Sequence, residues 1–133
     1  MAEKLTFDLV SPDRLLVSTE ADMIVVPGTE GDFGAMVGHQ PLISALRPGI
    51  VEIHDGGAVS ARFFVRDGFV EVTTDRCTVL AEEAVPVAEL DRVGIEQRIK
   101  TAEEDFVNAK TDETRHHADH EVRTLNELLA GAS

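Results

Sequence analysis

Basic residues are scarce in this chain and cysteine is nearly absent. Of 133 residues, 12 are Lys or Arg against 25 Asp or Glu, a formal charge of -13. Nucleic acid and anionic lipid surfaces reward clustered cations, so neither is expected as a partner, and a neutral or basic protein fits better. The single cysteine, Cys77, excludes an intrachain disulfide and favours a reducing, cytosolic setting, with Cys77 itself read as a small strand residue. The three lysines, Lys4, Lys100 and Lys110, never follow a glycine, so a phosphate-cradling Gly-Lys loop is missing and NTP hydrolysis by this chain is disfavoured. Long hydrophobic runs are missing too: the apolar stretch 23–26 is far short of the ~20 residues of a spanning helix. The N-terminus has no signal-peptide profile. Membrane association is therefore expected through partners, without direct lipid insertion.

What is present is a run of turn-forming residues. Residues 27–49 combine Gly28, Gly31, Gly34 and Gly38 with Pro27, Pro41 and Pro48, so the chain must change direction repeatedly. Their spacing is not the dinucleotide-binding fingerprint, and no strand–helix unit surrounds them. Glu30, Asp32 and His39 sit between the turns, and the segment reads as a rigid acidic loop built for docking.

Hydrophobic periodicity divides the chain in two. Before Pro86 the period is short, with strands expected at 5–9, 14–18, 21–26, 42–46, 50–54, 62–65, 69–72 and 78–80. Asp55-Gly56-Gly57 and Asp67-Gly68 supply turn chemistry. Beyond Pro86, Ile95, Ile99, Ala102, Phe106 and Ala109 recur at helical spacing over about 90–110, then Ala118, Val122, Leu125 and Leu129 repeat it after cap-type residues Thr111, Asp112 and Thr114. Two such stripes are best buried in an antiparallel hairpin, against each other or on the strands before them. The expected class is α+β, a β-sandwich or barrel over 1–86 followed by a two-helix hairpin over 87–133.

Candidate chemistry is sparse. His116, His117 and His120 resemble metal-ligand material, with Asp112 and Glu113 nearby, but no closing ligand set is visible, and a polar helix face is the preferred reading. His39 as a catalytic base would need a nucleophile, and Ser44 sits in an ordinary strand-like run, so His39 is read as structural or interfacial. Among the many carboxylates, Glu30 and Asp32 stand out because glycines and prolines hold them in place. No catalytic residue, metal or cofactor is expected.

The ordered series Pro27-Gly28-x-x-Gly31-x-Phe33-Gly34, Gly38-His39-x-Pro41-Leu42, Leu46-x-Pro48-Gly49, Gly68-Phe69-Val70-Glu71-Val72 and Thr78-Val79-Leu80-Ala81 resembles the epsilon subunit family of the bacterial F-type ATP synthase. That resemblance implies a ten-stranded N-terminal sandwich and a C-terminal helical hairpin. It implies a non-catalytic rotor subunit of the central stalk, peripheral on the cytoplasmic face of the inner membrane, binding the gamma subunit and the c-ring. Family contacts to the c-ring fall on the loop that here carries Glu30, Gly31, Asp32 and the nearby His39.

In many bacterial relatives the hairpin extends toward the catalytic alpha and beta subunits and blocks hydrolysis, and in some it binds ATP through a pattern similar to Ile/Leu-Asp-x-x-Arg-Ala. Here Leu90-Asp91-x-x-Gly94-Ile95 replaces the Arg by Gly94 and the Ala by Ile95. The segment 88–133 carries 11 acidic and 6 basic residues. Like charge opposes insertion near an acidic part of beta, so weak or absent inhibition is expected. Alternatives are an ATP-responsive inhibitory regulator of the same complex, or a free-standing hydrolase or metalloenzyme using the histidines.

Overall fold

A computed structural model describes residues 4–131, which divide into two compact units, one ending at Val87 and the other beginning at Ala88. In the first unit, strand β1 (Leu5–Val10) buries Leu5, Phe7 and Leu9 and turns Thr6, Asp8 and Val10 outward. This is the period-2 pattern of a strand with one covered face. Seven more strands follow: β2 (Leu15–Ala21), β3 (Met23–Gly28), β4 (Gly31–Ala35), β5 (Leu42–Ala45), β6 (Gly49–Asp55), β7 (Ala58–Val72) and β8 (Arg76–Pro86). They pair in the order β2-β1-β8-β7-β6-β3-β4, with β5 also on β7. Every pairing is antiparallel except β1 with β8, where the first strand lies parallel to the last. Ile24, Val26, Val51, Ile53, Val70, Val72, Cys77 and Val79 join the β1 residues in one dry core.

Among the described residues there are eight strands, not the ten that the resemblance implies. The expected segments 62–65 and 69–72 are one strand, β7, and the Asp67-Gly68 turn does not form. Asp67 instead adopts φ 58 inside β7, at the point where its partner changes from β6 to β5. Left-handed backbone kinks a strand as readily as it closes a turn. Gly68 completes the kink, because an added Cβ there would meet the Leu80 carbonyl oxygen at 1.8 Å. Segment 27–49 also differs from a continuous loop: β3 and β4 form a hairpin with Thr29 and Glu30 at its tip.

A 3-10 turn (Val87–Glu89) spans the boundary between the units and precedes α1 (Arg92–Asn108), and α2 (Asp112–Gly131) follows a three-residue link. Asp91 caps α1, its carboxylate accepting from the Gly94 amide at 2.6 Å. Thr111 does the same for α2, its Oγ1 accepting from the Thr114 amide at 3.1 Å. The link forces the two helices antiparallel, and they pack on each other. Their buried stripes are narrower and rotated compared with expectation. Ile95 and Ala102 are buried on α1, whereas Phe106 is exposed and Ile99 intermediate. On α2 the buried face runs through Ala118, Glu121, Thr124, Leu125 and Leu128, with Val122 and Leu129 at its margin.

Candidate functional site

The β3–β4 hairpin pairs Gly28 with Gly31 and Pro27 with Asp32, so Glu30 lies at the turn and Asp32 one step down β4. Gly31 takes φ 133, a conformation that leaves glycine the natural choice. His39 approaches from the loop after β4. Its ring lies 6.2 Å from that of Phe33, and its Nδ1 donates to the Gln40 carbonyl at 2.7 Å. A carbonyl only accepts, so Nδ1 carries the proton and Nε2 is the free edge of the imidazole. Glu30, Gly31, Asp32 and His39 therefore line one open depression, as their proximity in sequence suggested.

Three neighbours were not given a place at the site from sequence. Arg47, from the corner after β5, forms an ion pair with Asp32. Leu42 and Ile43 on β5 put exposed apolar surface beside the carboxylates, Ile43 at 70 %. Ser44 also borders the depression, but its Oγ donates to the Ala45 carbonyl at 3.0 Å. Its hydrogen is directed to that carbonyl, and the His39 hydrogen bond runs to Gln40.

A second surface crosses the sheet. Ala45, Phe69, Leu80, Val10 and Leu15 lie side by side on β5, β7, β8, β1 and β2. Phe69 is 58 % exposed, Leu80 45 % and Leu15 56 %. The adjacent row on the same face, Ile43, Glu71, Thr78, Asp8 and Ser18, is mostly polar. An apolar strip edged by polar groups is how a protein–protein interface is built. Parity was the signal available in sequence: Phe69 and Leu80 occupy positions whose alternate neighbours, Val70 and Val79, already fill the core.

The helical unit offers little to a nucleotide. Asp91 spends its carboxylate on the Gly94 amide, Ile95 is buried, and the exposed Arg92 is paired with Glu96 at 3.3 Å. A shallow depression between the end of α1 and the start of α2 is lined by Phe106, Asp112, Arg115, His116 and Asp119. Its one cation is bound to Asp112 at 2.9 Å, so the lining is net acidic and repels a polyphosphate. Among the described residues no three His, Cys, Asp or Glu side chains converge to hold a metal, and His116 is exposed while His117 and His120 are half-buried. No helix among the described residues is long and apolar enough to cross a membrane.

A family model described as the beta-sandwich domain of the ATP synthase delta/epsilon chain matches residues 4–87. The ATP synthase epsilon chain of Paramagnetospirillum magneticum is 56 % identical over 89 % of this chain and 89 % of the relative. That of Parvibaculum lavamentivorans is 52 % identical over 96 % and 97 %, and that of Rhodospirillum rubrum 46 % over 98 % and 97 %. Among solved structures, a chain of the Euglena gracilis mitochondrial ATP synthase (OSCP/F1/c-ring) superposes with a TM-score of 0.75 at 22 % identity, covering 100 % of this chain and 84 % of that one. A chain of the Tetrahymena thermophila central stalk and c-ring gives 0.63 at 14 %, covering 96 % and 98 %, and both share the fold. With a sandwich that fits the family's model and near-full-length relatives about half identical to it, the chain belongs to the ATP synthase epsilon chain family.

Proposed function

We infer that this subunit is a non-catalytic part of the rotor, joining the c-ring to the gamma subunit in the central stalk and so coupling proton translocation to ATP synthesis. The observation that carries this is two outward surfaces on one sandwich, an apolar ladder centred on Phe69 and Leu80 and an acidic hairpin tip at Glu30, which adjoin at β5. A rigid body with two faces can transmit torque between two partners. The ladder suits the more permanent contact, with gamma, since burying each large side chain contributes about 2 kcal/mol. The tip, with Glu30, Gly31, Asp32 and His39, suits polar and partly basic loops of the c-ring. Alpha and beta would be met through the hairpin alone. The place is peripheral, on the cytoplasmic face of the bacterial inner membrane.

The test is reconstitution. Phe69→Asp or Leu80→Asp should weaken association with gamma by roughly a hundredfold or more while leaving the melting temperature of the isolated subunit nearly unchanged. Undiminished binding to gamma by both variants would remove the ladder from the interface. A nucleotide-sensing role is the second reading, and the occupied cap at Asp91 with Gly94 in place of the cation speaks against it. Equilibrium dialysis showing stoichiometric ATP binding would restore it.

A further inference from the structure

The corner 46–48 between β5 and β6 carries a cation that turns back onto the β3–β4 hairpin. The Arg47 amide donates to the Pro27 carbonyl at 3.0 Å, its Nε donates to the Gly28 carbonyl at 3.1 Å, and its Nη2 reaches the Asp32 carboxylate. Gly28 is on β3 and Asp32 on β4, so one guanidinium grips both strands at the base of the turn. Lysine, a single point charge, would not present two donors in fixed directions. The seat for this grip is shaped by Gly49, where an added Cβ would lie 2.6 Å from Pro27 Cβ and 3.7 Å from Arg47 Nη1. Arg47's side chain is 20 % exposed against 59 % for Asp32, so the cation is packed in the fold and the carboxylate comes to it.

The charge pattern of the tip changes as a result. Asp32 is already neutralised within the subunit, while Glu30 at the turn has no ion-pair partner among the described residues. A cation on a partner would have to compete with Arg47 for Asp32. It meets no such competition at Glu30. Resting on the reading of this tip as the ring-facing surface, we propose that Arg47 is a positioning residue for it, and that Glu30 rather than Asp32 is the carboxylate that meets a cation on the ring.

Two measurements separate this from the reading beneath it. In the isolated full-length subunit, Arg47→Gln should speed exchange of the Thr29 amide, which donates to the Ala45 carbonyl at 3.1 Å, by roughly tenfold, with Arg47→Lys in between and β1 and β8 amides unmoved. Unchanged exchange at Thr29 overturns the clamp. In the assembled ATP synthase, read as protons pumped per ATP hydrolysed, Glu30→Gln should lower the ratio several-fold. The Arg47→Gln/Glu30→Gln double variant should be no worse than Glu30→Gln alone, since Arg47 acts through the position of Glu30. Asp32→Asn should lower the ratio less than Glu30→Gln and no more than Arg47→Gln, since it releases the clamp but leaves the carboxylate of Glu30 in place. Additive losses in the Arg47/Glu30 pair, or a loss from Asp32→Asn as large as that from Glu30→Gln, overturn the assignment. If Glu30, Asp32 and Arg47 can all be changed without altering pumping, the ring-facing reading fails and the role of Glu30 with it, while the exchange result still decides the clamp.

Discussion

Gly68 and Cys77 show how little latitude single positions have in this sandwich. At Gly68 the obstacle to a side chain is the backbone of β8, which cannot rotate away. Gly68→Ala must push β7 and β8 apart at the kink where Leu46 also donates to the Gly68 carbonyl at 2.9 Å. A loss of about 3 kcal/mol or more is expected, seen as a large drop in the urea midpoint. An unchanged midpoint would mean the strands are not held that close.

Cys77 is fully buried, and desolvation pushes its thiol up to about 12. An unfolded thiol titrates near 8.5. The folded state therefore keeps a proton that the unfolded state releases as pH rises past ~8.5, so stability is full below that pH and falls between there and about 12. Cys77→Ala should flatten this alkaline loss in denaturation curves taken from pH 8 to 11. In the native protein at pH 8 the thiol should resist maleimide, and rapid labelling without unfolding would contradict its burial.

Elements were legible in proportion to how local their causes are. The alternation Leu5, Phe7, Leu9 specifies β1 without help, and Asp55-Gly56-Gly57 closes β6 onto β7 with φ 64 and 80 at its glycines. Strand β4, sequence Gly-Asp-Phe-Gly-Ala, has little intrinsic preference for extension and forms because β3 presents Ile24, Val25 and Val26 opposite it. Asp67-Gly68 was misread as a turn because positive φ is common to turns and kinks, and only the partners of β7 tell them apart. The rotated face of α2, with Glu121 and Thr124 inside, likewise depends on what packs against it. At the site, Glu30, Gly31, Asp32 and His39 were visible because glycine and proline spacing marks the tip. Arg47 was not, since its tie to Asp32 spans 15 residues. Nor was the apolar ladder, which requires the register of five strands.

For the molecule as a whole, the apolar ladder and the hairpin tip belong to one unit and the two helices to the other, and each unit carries its own core. The segment 88–133 keeps a net charge of -5, and the Asp91 carboxylate at its first helix is taken up by the Gly94 amide. Removing everything after Val87 should leave a sandwich that still unfolds cooperatively and still assembles with the stalk. ATP hydrolysis by the soluble complex should then change less than about twofold, a small shift in coupling free energy. A several-fold rise on deletion would show that the hairpin inhibits after all.

The parallel pairing of β1 with β8 bears on how the subunit is made. Among the described strands Leu5–Val10 is made before the others, yet one of its two neighbours begins at Arg76. At ~5–20 residues per second, that edge of β1 waits several seconds with its Leu, Phe and Leu side chains half covered. Synthesis thus passes through an incomplete sheet whose open edge is a template for misassembly. Slowing translation between residues 10 and 76 should raise the nascent chain's demand for chaperones, whereas slowing it within the hairpin, after β8 is complete, should not.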